Sequence, residues 1–149
     1  MSGREAAALG RRLDEILAEA EQMIRAVPEE EMSAVVEDGA SLRDLAFRLF
    51  RLGLGFADGM DLGRFSEEWR REPAPDDLRD GAAVARYGAL VRGRLGGWFE
   101  GAGPGEFTRA IAVPDGPRPG LDLLERVTSE AERRLQLLQA ALARGRRVS

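Results

Sequence analysis

The chain has 149 residues, enough for one domain with a core of its own. Its 22 basic and 26 acidic residues leave a net charge of −4, so the concentrated basic face needed for sequence-independent phosphate binding is not expected, and neither is a nucleic-acid partner. It contains no cysteine and no histidine, and all 22 of its basic residues are arginine. Disulfides, thiolate nucleophiles, cysteine zinc sites, Schiff-base lysines and the P-loop lysine are therefore excluded. The commonest metal ligand and the commonest general base near neutral pH are missing as well.

No apolar run reaches the length of about 18 residues that a membrane span requires. The opening residues carry charges where a secretion signal has its apolar middle. No membrane partner and a cytoplasmic location are therefore expected.

Apolar residues at three- and four-residue steps mark a first helix through Leu9, Leu13, Ile16, Leu17, Ala20, Met23, Ile24 and Val27, closed by Pro28. An acidic connector follows, with Val35 and Val36 briefly extended. Ser41, with Asp44 three residues on, is a capping-box variant that opens a second helix striped by Leu42, Leu45, Leu49, Leu52 and Phe56. The polar stretch between Asp61 and Pro75 carries Trp69 and is expected to be a loop with one short helical turn. Pro75-Asp76-Asp77 is expected to start a third helix with Val84, Tyr87, Val91, Leu95 and Trp98 on its inner face. The Gly/Pro-rich segment after it holds a short extended stretch near 107–113. A fourth helix opens near Leu121 and carries Leu124, Val127, Ala131, Leu135, Leu138 and Leu142, with an arginine-rich tail beyond it.

Four amphipathic helices, each with one apolar stripe, predict an all-α fold, a four-helix bundle in a single domain over 1–149. The connectors between helices one and two and between three and four are long for a simple up-and-down bundle. They are expected either to cross over or to build a lid.

The stretch from Ser41 through Leu52, with Ala85–Trp98 and Leu123–Leu138, resembles the DinB-like family of damage-inducible-type four-helix bundles. The family is related to thiol-dependent S-transferases, and the resemblance covers about 5–143. It implies a divalent-metal site built from three histidines, one on the second helix and two spaced four apart on the fourth. The corresponding positions here are Arg48, Glu130 and Arg134. Guanidinium is donor-only and stays protonated, so the resemblance implies a member without metal or other cofactor.

At about 100° per residue, Arg48 falls beside Leu45 and Leu52, and Glu130 beside Val127, with Arg134 one turn on. The three residues lie at the margins of the apolar stripes and are the candidate ligand-binding residues. Three readings are open. They form an Arg–Glu–Arg network that cross-links the bundle, the same network with a small anionic ligand, or three unrelated surface charges. Gly55 and Gly59, on the same strip as Arg48, leave room for such a ligand.

The function expected is that of a ligand-binding or interaction pseudoenzyme, with no catalytic residue assigned. The alternative is a thiol-dependent S-transferase-like enzyme working without metal. A homodimer is expected, because family members frequently pair and glycine-rich helix faces offer a flat contact.

Overall fold

The computed structural model describes residues 2–148, and the side chains of residues 3–145. Its helices are α1 (Ser2–Ile24), α2 (Glu29–Met32), α3 (Leu42–Leu62), α4 (Gly81–Gly101) and α5 (Gly120–Val148). Two small antiparallel hairpins accompany them: β1 (Val35–Glu37) with β2 (Ala40–Ser41), and β3 (Ala110–Ile111) with β4 (Arg118–Pro119). The four long helices form the bundle predicted from the apolar stripes. Their inward residues, among them Leu13, Ile16, Leu17, Leu49, Phe50, Phe56, Val84 and Leu124, are fully buried in one core.

The helices sit at the corners of a square, with α1 diagonal to α3 and α4 diagonal to α5. Side-chain pairs fix their directions. Phe47 stacks on Tyr87 and Phe56 meets Trp98 edge-on, so α3 and α4 run parallel. The Gly81 N–H donates to the Val27 carbonyl at one end of α1, while Gly10 touches Phe99 at the other, so α1 and α4 run antiparallel. Arg12 meets Glu132 and Gln139 meets Glu19, which makes α5 parallel to α1. The order is thus up, down, down, up. Both connectors expected to be long do cross diagonally, 25–41 at one end of the bundle and 102–119 at the other.

The consequence for the site lies in the remaining connector. Because α3 and α4 are parallel neighbours, residues 63–80 must climb back along the whole bundle between them. This strap leaves α3 through Gly63, whose positive φ of 77° no other residue type adopts as cheaply. Its start is pinned to the second hairpin, with the Phe65 N–H donating to the Ala112 carbonyl and the Ala112 N–H to the Gly63 carbonyl. One helical turn, Glu68–Arg71, interrupts it, as the sequence suggested.

Four boundaries differ from the sequence reading, one being that α5 runs on through Gly145 and the arginine-rich tail to Val148. α1 ends at Ile24, short of Val27, and the extended stretch narrows to Ala110–Ile111. The third long helix starts at Gly81 instead of Pro75. Residues 75–78 make only a turn, the Leu78 N–H reaching the Pro75 carbonyl, and the helix is capped by the Asp80 side chain accepting from the Ala83 N–H. Gly81 sets that start: a Cβ there would lie 1.7 Å from the Ile24 carbonyl oxygen, so only glycine lets α4 begin against the end of α1.

Candidate functional site

The capping box at the head of α3 forms as read, the Ser41 hydroxyl accepting from the Asp44 N–H and the Asp44 carboxylate from the Ser41 N–H. The other Asp44 oxygen accepts from the Ala74 N–H at 2.9 Å and so ties down the far end of the strap. Burial works against ionisation here, but the hydrogen bonds from Ala74 and Ser41 outweigh it and hold the Asp44 carboxyl below its ordinary value. One turn further along α3, Arg48 Nε donates to the Glu72 carbonyl at 2.9 Å, and a turn beyond that Arg51 faces the Glu72 carboxylate.

The middle of the strap lies over α5. Trp69 is 2% exposed, and the indole forms the floor of a charged cluster. Glu130 Oε1 accepts from Arg70 Nη2 at 2.8 Å, and its Oε2 accepts from Arg70 Nη1 at 2.9 Å and from Arg134 Nε at 3.1 Å. The Arg70 and Arg134 guanidinium carbons lie over the Trp69 ring, 5.0 and 4.8 Å from its centroid, so cation–π attraction adds to the ion pairs. The Glu130 and Arg134 side chains are only 12% and 17% exposed, so solvent screens their pair less than the contact with Arg70, which is 36% exposed. Burial pulls the Arg134 guanidinium below its ordinary pKa despite Glu130. For Arg70 burial is overcome by the Glu130 and Glu67 carboxylates, which lift it. Both stay cationic at any working pH.

The sequence-predicted triad is therefore only partly assembled. Glu130 and Arg134 meet as i,i+4 neighbours, but Arg48 bonds the strap backbone and not Glu130; the second guanidinium is Arg70. Helical periodicity cannot find Arg70, because it sits on a connector with no face to count. The available signal was Trp69 itself, a large aromatic beside two arginines in a polar stretch. The space that Gly55 and Gly59 leave is taken by the strap, whose Arg64 carbonyl oxygen and Phe65 ring come within 3.1 and 3.3 Å of where a Gly59 Cβ would be. A polar cavity of about 390 Å³ remains beside them, bordered by Arg51 and Trp69. The Arg51 Nη1 and Trp69 Nε1 donors are buried without a protein partner.

A divalent metal does not fit this donor set. Two of the three aligned positions offer guanidinium, and both oxygens of the third are engaged by arginines. Among the described residues, no three carboxylates converge elsewhere. The same contacts make Glu130 a poor general base, since guanidiniums already engage both of its oxygens.

No family model matches the sequence, and no curated protein matches it. In structure the chain is similar to a DinB-like protein, YjoA from Bacillus subtilis, with a TM-score of 0.67 at 13% sequence identity over 93% of this chain and 90% of that one. The likeness shows a DinB-like all-α fold. No helix among the described residues is long and apolar enough to cross a membrane.

Proposed function

We propose that this chain is a metal-free DinB-like protein that works by binding or interaction and not by catalysis. In this reading the Arg70–Glu130–Arg134 cluster replaces a metal centre as the tie between α5 and the strap. The observation that supports it is the engagement of Glu130: both oxygens of the one central carboxylate accept from guanidinium, Oε2 from two of them. A small anionic ligand would then meet arginines already paired, so the cluster serves as a clamp first. No contact favours the alternative of a thiol-dependent transferase, which would need a free base or an activating cation at this place.

The test is a calorimetric titration of the purified protein with zinc and with nickel. The clamp reading expects no saturable site in either titration. One tight metal per chain would overturn it. Pairing of two copies belongs to the same proposal, with the open outer face of α4 around Leu90, Gly93 and Gly97 as the candidate contact. Light scattering that returns the monomer mass of 16.3 kDa at micromolar concentration would exclude it.

A further inference from the structure

The cavity beside Gly55 and Gly59 shares Trp69 with the clamp, but its polar groups are not used up by the protein. Trp69 is 2% exposed, and its Nε1 donor is buried without a protein acceptor. Arg51 borders the same cavity. Its Nε faces the Glu72 carboxylate at 3.5 Å, which leaves Nη1 buried and without a protein acceptor as well. Gly55 keeps open the space in front of both groups: a Cβ there would lie 3.5 Å from Arg51 Nη1 and 3.9 Å from Trp69 Cδ1, the ring atom bonded to Nε1. A buried donor left unpaired carries its full desolvation penalty, so an oxygen acceptor within reach of these two is held strongly. The volume of about 390 Å³ falls within the roughly 300–1,000 Å³ typical of small-molecule sites.

The charges around the cavity argue against an ion. Three carboxylates, Asp58, Glu68 and Glu72, border it against the two guanidiniums of Arg51 and Arg64. Arg94 reaches Asp58 at 3.4 Å but is shared with Asp61, so it does not change the balance. An anion would gain the two donors and meet a net acidic border. A cation would face Arg51 and leave both donors unpaired. An uncharged oxygen acceptor has neither fault. The rim adds a second requirement. Glu68 is exposed, and among the described residues no ion pair or hydrogen bond engages its carboxylate, so it is free to accept from a donor on the occupant. A primary carboxamide is a compact uncharged group that carries an acceptor oxygen and N–H donors side by side. The buried Phe65 ring, on the same border, gives its hydrocarbon body an apolar surface.

We infer that the cavity between α3 and the strap is a binding site for a small neutral carboxamide, its carbonyl oxygen accepting from Trp69 Nε1 and Arg51 Nη1 and its N–H donating to Glu68. The inference rests on the reading of this chain as a binding protein. Zinc and nickel titrations test the clamp and a carboxamide tests the cavity, so the two can fail separately.

The probe is benzamide, titrated into the whole protein labelled with nitrogen-15 and followed through the indole N–H resonances of its two tryptophans. The Trp69 resonance, identified by its loss in Trp69→Phe, should move downfield saturably while that of Trp98 stays in place. Acetophenone keeps the carbonyl but lacks the N–H donors, and should bind about fivefold more weakly than benzamide. Benzoate carries a charge and should bind at least about tenfold more weakly. Glu68→Ala should erase the preference for benzamide over acetophenone. Glu68 is an exposed rim residue, so that variant keeps its fold, which circular dichroism verifies. Gly55→Ala places a methyl group in front of both donors at ordinary contact distances and should weaken benzamide and acetophenone alike. The proposal would be overturned by a Trp69 resonance that does not shift saturably, or by benzoate binding as tightly as benzamide. An unchanged preference in Glu68→Ala, or indifference to Gly55→Ala, would overturn it equally.

Discussion

Two opposite seams of one bundle have been finished in contrary ways. Between α3 and α5 the groove is filled by the returning strap, with a buried tryptophan, a carboxylate and two guanidiniums locked together. Between α1 and α4 it is left open, floored by small residues and two phenylalanines. The cause is topological before it is chemical. Parallel α3 and α4 force a connector to run the length of the molecule, and it lies along the α3 side; nothing in the chain has to pass over α1 and α4. A closed seam invites a polar latch, because its groups can be fully paired. An open one keeps only residues that tolerate water or await an apolar partner.

If the strap is an integral part of the fold, emptying it should hurt most. Trp69→Ala removes a fully enclosed indole and the surface on which both arginines rest, and chemical denaturation should show a loss of about 3–5 kcal/mol. Next comes the latch. Glu130→Ala leaves Arg134 without an acceptor and Arg70 with Glu67 alone, and the same melts should show a loss of roughly 2–4 kcal/mol. Replacing Arg70, Glu130 and Arg134 together by Met or Leu should cost less than Glu130→Ala alone, because no orphan charge remains.

The upper end of the strap gives a smaller effect with its own pH signature. Asp44→Ala loses the bond from the Ser41 N–H, one half of the capping box, and the bond from the Ala74 N–H, for about 1–2 kcal/mol. Asp44 titrates below its ordinary 3.8 in the folded chain, so its contribution is present above that value and is lost as the pH falls through the lower, folded one. Stability of the wild type should therefore drop more steeply than that of Asp44→Ala between about pH 4 and pH 2. The open seam should respond in the opposite sense. Gly96→Ala adds a methyl group in free space on a helix and should raise stability by about 0.5–1 kcal/mol in thermal melts. A destabilising Gly96→Ala would mean that α4 is packed on that side after all.

The four-helix architecture was legible because each helix buries a single stripe, and the Ser41–Asp44 cap because its chemistry is local. The Glu130–Arg134 pair was legible for the same reason, being one turn of one helix. What periodicity could not reach was contact between elements of different kind. Arg70 joins Glu130 from a connector, and Arg48, on the expected face, is diverted by the Glu72 carbonyl of that same connector. The α4 start was missed because Pro75-Asp76-Asp77 is as good a turn as it is a helix opening. The close approach of Gly81 to Ile24 that decides between them is tertiary.

Arg70 of the strap, and not Arg48 of α3, is the partner of Glu130. A pair of double-mutant cycles measures it directly, combining Glu130→Gln with Arg70→Met in one and with Arg48→Met in the other. A coupling of about 1–3 kcal/mol is expected for Arg70 with Glu130 and less than about 0.5 kcal/mol for Arg48 with Glu130. Strong coupling to Arg48 with none to Arg70 would contradict it.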